Sequence, residues 1–284
     1  MMWKMLRHIG KTHRRKLAAT FGLVGLENLL LLVYPTFGGL AINAVIEGNT
    51  WLALLYALVV LMMWLVGALR RSMDTRTFTR IYTEIAVPVV LDQRHRQTPH
   101  SAITARVALS REFVSFFEEH LPMAATSLVS VFGACVMLLL LEFWVGVAAV
   151  AVLLVFLWLL PHFASISDSL YYRLNNRLEK DNHFIRHGSE TQLWKHYHLV
   201  GRLRVLISNR EALGYLAVGI AMSLLFGLAF TWMTVRGHGS AGHVYSITTY
   251  LWMFAMSLDD VPRLVEQYSN LKDIGRRVDL TQPA

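Results

Sequence analysis

Charge is scarce in this sequence: 16% of its 284 residues are Asp, Glu, Lys or Arg, against 55% that are apolar. A soluble domain carries about a quarter of its residues charged to cover its core, so an ordinary soluble enzyme is excluded. Cysteine is nearly absent. The single one, Cys135, sits inside the apolar run VFGACVMLLLL, which excludes an intrachain disulfide and a multi-cysteine metal site. Glycine is missing between Arg70 and His120, and proline is limited there to Pro88 and Pro99; that long polar stretch is therefore not a flexible linker. No HExxH, GxSxG or phosphate-wrapping G-x-x-x-x-G-K-[ST] pattern occurs, and no enzymatic activity, cofactor or metal site is expected.

What is present is apolar sequence in spans. Taking about 20 residues as the length that crosses a bilayer, six spans fall at about Leu17 to Ile46, Trp51 to Leu69, Leu121 to Leu141, Trp144 to Phe163, Gly214 to Val235 and Val244 to Ser257. The first is too long for a signal peptide, whose hydrophobic region runs to about 15 residues, and is expected to stay as a helix. The last is the weakest, because Asp259 and Asp260 interrupt it. The expected fold is all-α: a polytopic membrane protein, with a basic segment over 1–16, a six-helix transmembrane domain over 17–278 and a tail over 279–284.

The net charge is +8, and 26 of the 27 Lys and Arg residues lie before the first span, in the two long connections or in the tail; only Arg236 lies on the short-loop side. Basic residues near helix ends are retained in the cytoplasm, so both termini and both long connections are expected there. The cations alternate with apolar spans and form no aromatic-interleaved face, which argues against nucleic acid as a partner. In the long connections the apolar residues recur at helical spacing, at Ile81, Ile85 and Val89 and again at Leu170, Leu174 and Leu178. The spans therefore continue as helices into the cytoplasm. At 1.5 Å per residue a helix from Trp51 to about Val90 is roughly 60 Å long.

Candidate functional residues follow from the cost of charge in hydrocarbon. Glu27, within the first span, is expected to face the inside of the bundle, either binding a proton or cation or paired with an Asn or Arg of a neighbouring helix. Asp259 and Asp260 stand together at the end of the sixth span, where Arg263 offers a local helical ion pair. Trp252 reads as an interfacial anchor or a cavity residue, and Glu142 is expected to face solvent beside Trp144. His183, His187 and Glu190 have the spacing of metal ligands on one helix face, but in a chain of twelve histidines a solvated basic loop is the simpler expectation. Pro35, beside Gly38 and Gly39, is expected to weaken the first helix, either as a gating bend or as an accommodation of packing.

Six spans, short outer turns and two long helical extensions resemble the transmembrane domain of exporter-type ABC transporters. The segments ITARVALSREFVSFFEEHLP and SLDDVPRLVEQYSNLKDIGRRV look like that family's approach to its third helix and the cytoplasmic end of its sixth. The resemblance implies a homodimer with helices exchanged across the pair, moving an organic solute (peptide, siderophore or drug-like) by alternating access. It places short ATPase-docking helices at about Asp92 to Ser101 and His183 to Trp194, making Arg94, Arg96, His187 and Glu190 the docking candidates and Glu27, Asp259, Asp260 and Trp252 the coupling or cavity candidates. With no phosphate loop in this sequence, the expectation is a secondary transporter of a bacterial inner membrane, similar to ATPase-free peptide uptake proteins. Two alternatives stay open: a subunit working with a separately encoded ATPase, and a scaffold that does not transport.

Overall fold

The computed structural model describes residues 12–95, 104, 107, 111, 114–178, 180–237 and 239–280. Seven α-helices form among them: α1 (Arg14–Ile46), α2 (Thr50–His95), α3 (Leu121–Leu141), α4 (Phe143–Leu178), α5 (Asp181–His187), α6 (Glu190–Arg236) and α7 (Ala241–Leu280). A π-helical turn, Phe116–His120, leads into α3. Pro122, two residues beyond it, has no N–H to give the preceding turn and crowds it; widening that turn is the local solution. Five helices are long and apolar enough to cross a membrane among the described residues: α1, α2, the π turn with α3, α4 and α6. The sixth long helix, α7, stands outside that set, in keeping with the two acids that shorten its apolar run. Arg96 and most of the Asp92 to Ser101 stretch lie outside the described residues, as do the side chains of His183 and Arg263.

Short connections are built by specific residues. Between α1 and α2, Gly48 takes φ +72°, a conformation open to glycine without a Cβ penalty. Asn49 then caps α2, its side-chain carbonyl accepting the Leu52 N–H at 3.3 Å. Between α3 and α4 the turn is tighter than expected, and Glu142 is buried at 8% exposure rather than facing solvent. The reason is steric: a Cβ on Gly146 would collide with the backbone of Leu139, so the two helices meet closely around the acid that joins them.

The chain divides into two compact units, residues 1–137 with 237–284 and residues 138–236. In the first, α1 packs against both α2 and α7, and the π turn against α2 and α7. The end of this unit away from the short turns is held by Phe78, Ile81, Ile85 and Val114, with Leu17, Tyr82 and Phe117 around them, which uses the four-residue spacing read from the sequence. At the same end His13 Nε2 donates to Glu84 at 2.7 Å. That bond, and then the bond from Arg80, hold the Glu84 carboxyl below the ordinary range.

The second unit is a helical hairpin. In it α4 packs on α6 through Leu174, Val200 and Ile207, flanked by Leu170 and Leu178. Its tip is α5, fixed to α6 by His196, which is 2% exposed, bonds Asp181 and stacks on Phe184 at 4.5 Å between ring centres. Helix α6 starts afresh after Gly188: Ser189 precedes it and accepts from Leu193 through its carbonyl, while Gln192 accepts the Ser189 N–H at 3.0 Å, half of a capping box. This break separates His187 from Glu190, so the candidate metal-ligand spacing does not lie on one helix face.

Candidate functional site

Two layers of polar side chains cross the first unit. The outer layer binds α1 to α7 around Pro35. Proline gives no N–H to the carbonyl one turn earlier, and in a membrane such weakened turns are re-satisfied by neighbouring helices. Here Tyr250, fully buried, donates to the Leu32 carbonyl at 2.7 Å and receives the Thr36 hydroxyl at 2.7 Å. The Ser246 hydroxyl lies 3.0 Å from the carbonyls of Pro35 and Gly242. Above them Asn43 accepts the Gly242 N–H and donates to Ser240, both at 2.9 Å, so α1 caps the start of α7. Tyr34 and Tyr56 pack with ring centres 5.4 Å apart in the same half of the unit. These tyrosines were not singled out from the sequence; the available signal was that a phenol inside an apolar span needs a partner.

The inner layer is charged. Glu27 forms an ion pair with Arg70 Nε, and Arg70 Nη1 donates to Asp74 at 3.3 Å. Arg70 ends the apolar run of α2, so the pairing sets Glu27 at the edge of the apolar section. Gly67, one turn before Arg70, leaves the space: a Cβ there would come within 3.2 Å of Glu27 Oε1. The Asp74 side chain is 7% exposed and Glu27's 28%. Thr20 of α1 is completely buried and faces Asp74. Beside them Glu118 of the π turn is 3.7 Å from Arg111. Three acids and two arginines thus come together from α1, α2 and the approach to α3. Of these only Glu27 was a sequence candidate; Arg70 and Asp74 were hidden among the many charges of the connection.

The other candidates are placed separately. Helix α7 buries Tyr250, Leu251, Phe254 and Leu258, and turns Trp252, Met256 and Asp259 to its exposed side, where i, i+4 and i+7 positions align. Asp260 is half-buried and accepts from Ser127 at 3.5 Å. Arg94, in the last turn of α2, is exposed, as are His187 at the end of α5 and Glu190 at the start of α6. No group of three His, Cys, Asp or Glu that could hold a metal is found among the described residues.

A family model described as ABC transporter transmembrane region matches residues 6–242. No curated protein matches the sequence. Among solved structures, a bacterial Atm1-family ABC exporter with ATP bound is similar to 94% of this chain, with a TM-score of 0.65 and 17% sequence identity. The chain spans 54% of that exporter's length, and at this identity the likeness is one of fold.

Proposed function

The chain belongs to the ABC transporter transmembrane region family, and from that premise we propose that it is the membrane unit of a homodimeric transporter that passes an organic solute by alternating access. The observation that carries the reading is the two-sided α7. One face is sealed onto α1 by hydrogen bonds, and the other presents Trp252, Met256 and Asp259, an apolar lining with one acid suited to a peptide, siderophore or drug-like molecule. The separate α4 to α6 hairpin supports exchange of that element between two copies around a shared cavity. The proton gradient is the energy source we favour, acting on the buried acids around Arg70, in a bacterial inner membrane. It is a carrier, with residues 17–278 as its working domain, and not an enzyme.

A second reading has its own support in α5. This short helix is clamped to α6 by His196 and leaves His187 exposed, the form a docking element for a separately encoded ATPase takes. Isolation of the protein from its native membrane, with mass spectrometry of what stays bound, separates the two. The favoured reading expects a dimer of this chain alone and solute flux in proteoliposomes that follows an imposed pH gradient. A stoichiometric ATPase moves the energy source to the second reading. A monomer in native-like nanodiscs, or no flux of peptides, siderophores or dyes under either input, overturns the transporter.

Orientation is tested independently. In a Cys135→Ala background, Glu47→Cys in the first short turn is expected to react with a membrane-impermeant maleimide in intact cells, and His187→Cys only after permeabilisation. The reverse pattern would place the long helical extensions outside.

A further inference from the structure

Asp74 is a buried carboxylate with incomplete compensation. It is 5% exposed, and it accepts from Arg70 at 3.3 Å, a cation that Glu27 already engages. A single guanidinium therefore serves two carboxylates, and Arg111, the other cation of the group, is paired with the third acid, Glu118, at 3.7 Å. Asp74 Oδ2 takes the Arg70 bond, while Oδ1 is buried with no hydrogen-bond partner. The Thr20 hydroxyl, fully buried on the facing helix, is also without a partner. An ionised oxygen in so dry a place is costly; among the described residues the Thr20 hydroxyl is the one uncharged donor facing it, and the only cation bonded to Asp74 is divided with Glu27.

We propose that Asp74 is a proton-binding site, in which a proton on Oδ1 is donated to Thr20 Oγ1 and ties α2 to α1. Protonation removes the excess negative charge around Arg70 and leaves Glu27 as its sole ionised partner. Deprotonation returns Asp74 to competition with Glu27 for Arg70 and reverses the bond to Thr20, whose hydroxyl then donates to the carboxylate. The groups that face this site are Thr20 and Glu27 of α1, Arg70 of α2, and Glu118 with Arg111 ahead of α3; Asp260 of α7 is engaged by Ser127. Use of the proton to drive solute rests on the transporter reading, whereas its binding does not.

Infrared difference spectra of the full chain in lipid nanodiscs, taken between mildly acidic and mildly alkaline pH, read the proton directly. The expected result is a carboxylic-acid C=O band that titrates in the wild type, disappears in Asp74→Asn and persists in Glu27→Gln. Thr20→Val is expected to keep the band but shift it, because the acid loses its acceptor; this variant also tests the site if Asp74→Asn fails to fold. A band unchanged in Asp74→Asn, one lost in Glu27→Gln instead, or one unmoved in Thr20→Val overturns the assignment. Loss of solute flux with the band intact would sink the transporter reading and leave the proton site standing.

Discussion

Replacing Gly242 with alanine is expected to unfold the first unit at temperatures the wild type withstands. A Cβ at this position would run into the backbone carbonyl of Gly39, and one at Gly39 would run into the backbone of Gly242 and the Ser246 hydroxyl. Backbone cannot step aside as a side chain can, so α1 and α7 must separate. Overpacking of this kind costs about 1–3 kcal/mol where side chains give way, and more where they cannot. Separation also breaks the Asn43 cap on α7 and draws Tyr250 and Ser246 from the carbonyls beside Pro35. Helices in a bilayer gain no hydrophobic drive from packing on one another, so this close approach and its hydrogen bonds supply much of what joins them. Thermal unfolding in micelles, followed by tryptophan fluorescence, is the measurement. Gly22→Ala and Gly25→Ala are the controls, because no atom lies within 4 Å of a Cβ at either; they are expected to match or exceed the wild type. A Gly242→Ala protein that melts with those controls would mean that the contact contributes nothing.

The helices themselves were legible because burial in lipid and helical periodicity leave long, repetitive signals. The boundaries of α3 coincide with the apolar run, and Ile81, Ile85 and Leu174 lie buried where their spacing put them. Glu142 was misplaced because composition cannot say how tightly two helices turn; that depended on Gly146 meeting Leu139 backbone. The site was legible only in part. Glu27 stood out as an acid in an apolar span, but its partner did not, since Arg70 begins a stretch holding eight Lys and Arg residues and only three-dimensional pairing distinguishes one from another. Asp74 carries no sequence signal at all. Its burial is a consequence of α1 lying on α2, with Thr20 and Glu27 brought down onto that face. The outer layer was foreshadowed by Pro35 and the paired glycines, read as a gating bend or an accommodation of packing; the structure makes them a docking seam for α7.

Removing the cation at the centre of the inner layer should have an effect of similar size. In Arg70→Met, Glu27 and Asp74 face one another with no counter-charge, and breaking a buried ionic set from one side costs about 3–5 kcal/mol because the remaining charge stays desolvated. All three side chains are less than a third exposed, at 20% for Arg70, 28% for Glu27 and 7% for Asp74, so solvent screening relieves little of that. The penalty depends on both acids being ionised. It should shrink as pH falls, because protonation removes the repulsion, and grow as pH rises. Neutralising the acids along with the arginine gives the decisive comparison: Arg70→Met with Glu27→Gln and Asp74→Asn should recover most of the lost stability, since a buried ionic group replaced as a whole is often neutral or better. The coupling between the substitutions is then strongly non-additive, as expected for residues in one network. Were the triple variant as unstable as Arg70→Met alone, the arginine would be acting through its packing, and the charge balance assigned to Glu27 and Asp74 would have to be given up.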